Sequence, residues 1–328
     1  MGLFLTLIKT VWRVLLRRLT GKGKHPSWSF PYEVGVEMCG AGFIGGIDRP
    51  STAGGQRAGE SVTPIPPPLR RRLRFEEGTL AGLPTEVHTP RDYDATTGGT
   101  LLYIHGGGYI VCAPRTHRAL IARLADAGGV RTVAIDYRKA PEHPFPAGID
   151  DGVAAYHALL EQGVDPAKLV LAGDSAGGGL VLAVLQRVRE EGAVLPAAAV
   201  LLSPWVDVAD SSGSIVDNDR YDYLPTESME GWTQAYLAGA DPGSPLVSPI
   251  HADLSGMPPM RVLTGTLELL HDQNVAFVKR ALEQGVDVTH ELGPNEVHVY
   301  PLLADVSPFA ARAVVGIGEF IRGHVARA

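Results

Sequence analysis

The sequence predicts an α/β fold: a mostly parallel central sheet with helices on both faces. Three observations carry that expectation. From residue 101 onward short apolar runs alternate with amphipathic ones, as in repeated strand–helix units. One unit, Leu169-Val-Leu-Ala-Gly-Asp-Ser-Ala-Gly-Gly-Gly-Leu180, passes from an apolar strand through a glycine-flanked turn into a helix. A length of 328 residues, 45% of them apolar and 20% charged, suits one large globular domain with an insertion, or two small domains.

At the N-terminus, residues 1–24 hold Lys9, Arg13, Arg17, Arg18, Lys22 and Lys24 and no acid. Leu5, Ile8, Trp12, Leu15, Leu16 and Leu19 recur at helical spacing, while Lys9, Arg13 and Arg17 mark another face. No uninterrupted apolar core or small-residue cleavage site is present, so no signal peptide is expected. Lys9 and Arg13 argue against a membrane-spanning helix. Two placements remain. The leading one packs the apolar face over the domain; the other lays a basic amphipathic helix on a membrane surface. Residues 25–45 are aromatic-rich without a clear period, and 46–68 read as a Pro/Gly/Ser-rich linker.

Arg70–Glu77 reads as an edge strand and Leu83–Thr89 as its neighbour. Strands follow at Leu101–Ile104, Thr132–Tyr137, Leu169–Ala172, Ala197–Leu202, Met260–Thr264 and Val288–Leu292. Helices are expected at Thr116–Ala127, Ile149–Gln162, Ala176–Glu190, Val275–Glu283 and Pro308–Val325. The interval between Ser203 and Met260 breaks the rhythm and reads as a lid, with Gly231–Ala238 helical. Catalytic groups should lie at the carboxyl ends of the strands. A net charge of -7 gives no reason to expect a nucleic-acid partner. Cys39 and Cys112, the only cysteines, make neither a disulfide framework nor a zinc spacing, which fits a reducing, cytoplasmic compartment.

Chemistry concentrates in a few segments. In Gly173-Asp-Ser-Ala-Gly177 the strand-to-helix turn forces Ser175 into a strained conformation, with its hydroxyl at the sheet edge and a helix N-terminus beside it. His105-Gly-Gly-Gly108 follows the strand 101–104, and consecutive glycines let backbone N–H groups converge on one point. In acyl transfer that point is the oxyanion, with the N–H of Ala176 adding a donor. A phosphate-binding loop would need a lysine and a spacing that are missing here.

The blocks His105-Gly-Gly-Gly-Tyr109, Tyr137-Arg-Lys-Ala-Pro-Glu-His-Pro-Phe-Pro-Ala147 and Gly173-Asp-Ser-Ala-Gly-Gly178, with Leu202-Ser-Pro-Trp-Val-Asp207, resemble the hormone-sensitive-lipase-like esterases of the α/β-hydrolase fold. The resemblance spans roughly residues 70–325. It implies a catalytic domain over 69–328, with a lid built from residues 1–45 and an insertion of about 206–250. It also implies an ester hydrolase without cofactor or metal, with Gly107, Gly108 and Ala176 as oxyanion donors.

Chain order places the acid after the strand 260–264, where Glu268 and Asp272 compete. The family usually carries aspartate at the first of these positions. Glutamate can also fix the histidine tautomer, so the role falls to Glu268, leaving Asp272 as a helix N-terminal charge. Among the 11 histidines, His298 sits in the loop where the family keeps its triad base, and His290 reads as structural. His105 is expected to orient the oxyanion loop, Asp174 to hold the turn, and Arg138, Glu142 and His143 to form a buried bracing network. Tyr109, Trp28, Phe30, Tyr221 and Trp232 are candidates to line an apolar substrate pocket.

The leading function is a serine carboxylesterase for short- to medium-chain esters, acting on a small-molecule substrate. An amidase, deacetylase or lactonase on the same triad is the alternative. A non-catalytic receptor, as among relatives that lack the histidine, is disfavoured by His298. A homodimer and peripheral membrane contact through residues 1–24 remain open partners.

Overall fold

The chain opens with two helices, α1 (Gly2–Leu19) and α2 (Phe30–Ile47), in the computed structural model, which describes residues 2–47, 63–211, 213–224 and 226–326. The stretch read as a linker thus lies largely outside the described residues. A helical turn, α3 (Pro67–Arg72), leads into β1 (Leu73–Leu80) and β2 (Leu83–Pro90). Here the structure corrects the sequence reading: Arg70–Arg72 belong to α3, which the Pro66–Pro68 run starts, and the edge strand begins at Leu73. The alternation follows as β3 (Thr100–Ile104), α4 (Pro114–Gly128), β4 (Arg131–Ile135), α5 (Ala147–Glu161), β5 (Leu169–Asp174), α6 (Ala176–Glu190) and β6 (Ala198–Leu202). The insertion carries α7 (Ser214–Asp217) and α8 (Thr226–Leu237). The chain then runs through β7 (Met260–Gly265), α9 (His271–Glu283), β8 (Val288–Gly293) and α10 (Pro308–Val325).

The eight strands form one sheet in the order β1-β2-β4-β3-β5-β6-β7-β8. β1 and β2 pair antiparallel with each other, as do β2 and β4, and every other pairing is parallel. Side chains alternate faces along a strand, so each central strand feeds two cores. Leu102, Ile104, Leu171 and Leu201 pack with α5, α6 and α9 on one face. On the other face Leu101, Tyr103, Val170 and Leu202 pack with α4 and α10. β3, β5 and β6 are buried throughout, the reason they read as continuous apolar runs. No described helix is long and apolar enough to cross a membrane.

Candidate active site

Ser175 joins β5 to α6 at φ 53° and ψ −125°, a conformation that costs a side-chain-bearing residue and persists only when its surroundings enforce it. Its N–H donates to Leu202 O (2.9 Å) and its carbonyl accepts from Trp205 N (2.9 Å), which ties the turn to the end of β6. The flanking glycines are required by proximity. A Cβ on Gly177 would collide with the carbonyls of Ile104 and His105, and one on Gly173 with Gly177 O. α6 therefore leaves the turn in direct contact with the end of β3.

The loop after β3 runs alongside the turn: a Cβ on Gly106 would lie 3.0 Å from the Ser175 Cβ. Gly107 and Gly108 have φ of 117° and 60°, which favour glycine. Their N–H groups have no hydrogen-bond partner among the described residues. Ala176, as first residue of α6, holds an N–H that the helix cannot pair internally. Beneath them Asp174 accepts from the Tyr103 hydroxyl (2.6 Å) and from Gly106 N (3.0 Å), and His117 Nε2 lies 3.1 Å away. Burial alone would raise the pKa of Asp174 and lower that of His117. Each shifts the other way because of its partner, so the pair is a buried ion pair that fixes turn and glycine loop together. His105 stacks on Tyr137 (4.5 Å between centroids) with Nδ1 2.6 Å from Gly106 O, as expected of a residue orienting this loop. Arg138, Glu142 and His143 correct the sequence reading. All three are exposed, and Arg138 turns to Asp151 of α5 (2.7 Å) because that carboxylate is the partner within reach.

Glu268 follows β7 and is fully buried. Its carboxylate accepts from Ser203 Oγ (2.6 Å), Gly265 N (2.7 Å) and Asn274 Nδ2 (3.0 Å). Burial outweighs these bonds and pushes its pKa up to about 8. Asp272 is elsewhere engaged: it accepts from Ser214 N (2.9 Å) at the start of α7. His298 is buried, and its pKa is pushed down to about 3 by that burial, so the ring is neutral. Neither ring nitrogen has a hydrogen-bond partner among the described residues. Glu268 and the His298 loop are thus held together through a shared partner, with no direct bond between the two side chains among the described residues. Ser203 Oγ donates to Glu268 and accepts from Val299 N (2.9 Å), and Gly265 lets the 296–297 backbone pass against the end of β7.

Two further residues, which sequence reasoning missed, complete the arrangement. Ser203 stands inside a quoted motif, but its contact lies 96 positions away in sequence. Asp222, from the insertion, accepts from Leu269 N (2.8 Å), Tyr223 N (2.8 Å) and His298 N (3.2 Å), bridging the acid and base loops. Burial pushes its pKa up to about 6. No local signal singled it out among the neighbouring acids Asp217 and Asp219.

The aromatic candidates separate. Trp232 of α8 lies against Gly108, where a Cβ would fall 3.0 Å from its ring atom Cδ2. Tyr109 stacks on Tyr236 (3.8 Å) and Trp205 (5.6 Å). These two border the glycine loop. Trp28 and Tyr221 instead join Tyr32 and His25 in an aromatic cluster over the His298 loop, where Trp28 Nε1 donates to Asn295 O (2.7 Å). Phe30 is half-buried at the start of α2. Among the described residues no group of three or more His, Cys, Asp or Glu is placed to hold a metal ion.

A family model described as the alpha/beta hydrolase fold matches residues 101–302. The chain is 46% identical over 226 residues to an acetyl-hydrolase of Streptomyces hygroscopicus, covering 69% of this chain and 76% of that protein. It is 32% identical over 265 residues to carboxylesterase NlhH of Mycobacterium tuberculosis, covering 76% and 82%. A crystal structure of an esterase from the bacterial hormone-sensitive lipase family superposes with a TM-score of 0.76 at 33% identity, covering 98% of each chain.

Proposed function

Since the chain belongs to the hormone-sensitive-lipase-like esterases of the α/β-hydrolase fold and is a carboxylic ester hydrolase, we propose that it is a serine carboxylesterase using Ser175 as nucleophile, His298 as base and Glu268 as the acid. The observation that carries this reading is the Ser175 turn: a strained serine between two obligatory glycines, at a helix N-terminus, with Gly106 alongside. His298 takes the hydroxyl proton as Ser175 Oγ attacks the ester carbonyl, and Glu268 holds the resulting imidazolium. Neither ring nitrogen of His298 has another partner among the described residues, so engaging Ser175 and Glu268 breaks no bond seen there. Ionisation of Glu268 is favoured once the ring becomes cationic beside it. The oxyanion is received by the N–H groups of Gly107, Gly108 and Ala176, each such donor being worth about 3 kcal/mol. The protonated histidine then releases the alcohol, and water deacylates Ser175 by the same route.

Short acyl chains are favoured, because the buried Trp232 packs against Gly108 and the buried Tyr109, stacked on Tyr236 and Trp205, follows it in the chain. The test is hydrolysis of p-nitrophenyl esters of increasing acyl length by wild type and Ser175→Ala. Turnover that peaks at short chains and vanishes in the variant is the expected result. Residual turnover in Ser175→Ala near the wild-type rate would remove the serine mechanism.

A further inference from the structure

We propose that the outward face of α1 docks the enzyme on an anionic membrane surface. The helix is turned inside out relative to an ordinary surface helix. Its three arginines reach toward α2: Arg17 and Arg18 pair with Glu33 (2.5 Å each), Arg17 also with Glu37 (2.8 Å), and the more exposed Arg13 with Glu37. Thr10 and Val14 are buried on that side. The apolar stripe faces away, with Leu5 50%, Trp12 58%, Leu16 59% and Leu19 75% exposed, and Ile8 beside them. No described residue covers it. Spacings of three and four place these five side chains on one narrow face.

Charge chooses the occupant. α1 carries no acidic residue. Lys9 follows the stripe residue Ile8 and is exposed, and Lys22 is exposed just beyond the helix. Pairing with a second copy through the same stripe would bring the lysines of both helices to one interface with no acid on either helix to pair them. Anionic headgroups complement both lysines, whose stems lie along the apolar surface while their ammonium groups reach the phosphates. An exposed Trp12 suits the headgroup level of such an interface. The inward ion pairs attach α1 to α2, so docking carries the whole catalytic domain with it.

Flotation of the full chain with vesicles of equal parts phosphatidylcholine and phosphatidylglycerol tests this, against phosphatidylcholine alone. Wild type is expected to float with the anionic vesicles, and less so as salt rises. Replacing Trp12 and Leu16 together by Asp should reduce partitioning about tenfold or more, because each large apolar side chain withdrawn from water favours binding by about that factor. Lys9→Glu with Lys22→Glu should lower binding to the anionic vesicles only. None of these residues touches the site, so turnover of a soluble short-chain ester stays at the wild-type rate and reports separately on the serine mechanism. Equal flotation of wild type and the Trp12/Leu16 variant, or no flotation of either, would overturn the proposal. So would a wild-type dimer, seen by analytical ultracentrifugation, that the same pair of substitutions converts to monomer.

Discussion

Glu268 accepts three hydrogen bonds where solvent is excluded, and burial still lifts its pKa to about 8 from the ordinary 4.5. Between those values the folded protein keeps a proton that the unfolded chain has released. The stability contributed by this group therefore falls as pH rises through the window. Glu268→Gln has no such dependence, and its amide can donate to Asn274 Oδ1, which has no partner among the described residues. The urea midpoint of wild type, compared with that of the variant, is thus expected to decline from the acid to the alkaline end of that window. His298, depressed to about 3, contributes stability that is lost as pH falls, but equally in both proteins, so it cancels from the difference. Activity should divide the two acids as well. Glu268→Gln is expected to lose about a thousandfold or more in kcat, as when a triad acid is replaced by its amide. Asp272 serves the start of α7, so Asp272→Asn should cost about 1 kcal/mol or less of stability, with kcat close to wild type. The reverse ranking of kcat would assign the acid to Asp272.

At the scale of elements, the loop after β8 that carries His298 is held from three sides. Ser203 holds Val299, Asp222 holds the His298 N–H, and the N-terminal segment holds the stretch before it. Tyr32 is the centre of the third hold: its hydroxyl donates to Glu296 Oε2 (2.7 Å) and accepts from Val297 N (3.2 Å). Tyr32→Phe leaves a buried N–H and a carboxylate oxygen unpaired, at a cost of about 1–3 kcal/mol. Because the loop presents the proposed base and not the substrate, kcat should fall while KM for a short ester changes little. A change confined to KM would place Tyr32 in the substrate pocket instead. The central strands were legible in sequence because both their faces are buried, and the glycine-rich blocks because close backbone approach admits no other residue. α2 was not legible: Phe30–Ile47 is apolar on most sides and rich in glycine, which erases the helical period. The bridges made by Ser203 and Asp222 were hidden for another reason. Each joins segments far apart in the chain, and nothing local marks a polar side chain whose partner is distant.

Across the whole molecule, one buried carboxylate connects the N-terminal helix to the loop that carries His298, the proposed base. Glu33 accepts from Arg17, from Arg18 and from the Lys24 N–H (3.0 Å), and it sits on α2 next to Tyr32. The amphipathic pattern of α1 was plain in the sequence, but its orientation was not, because the partners of its basic face belong to an unrecognised helix. Packing the apolar face inward would have left Glu33 and Glu37 without their guanidinium groups, so ion pairing decided the outcome. Burial pushes the Glu33 pKa up, yet the Lys24 N–H and the two guanidinium groups outweigh it and hold the carboxyl below its ordinary value. A carboxyl depressed by folding stabilises the fold above its unfolded pKa and loses that contribution as pH falls through the folded one. Acid should therefore release α1 before the sheet opens. Hydrogen exchange is the measurement: amides of residues 2–19 are expected to lose protection below the ordinary carboxylate range while those of β3, β5 and β6 keep theirs. Glu33→Gln should produce the same pattern at neutral pH, with faster exchange also at 295–299, because the segment bearing Tyr32 is loosened with it. If α1 stays protected until the sheet unfolds, the helix is held by its Thr10 and Val14 contacts, and the route from Glu33 to His298 is broken at its first step.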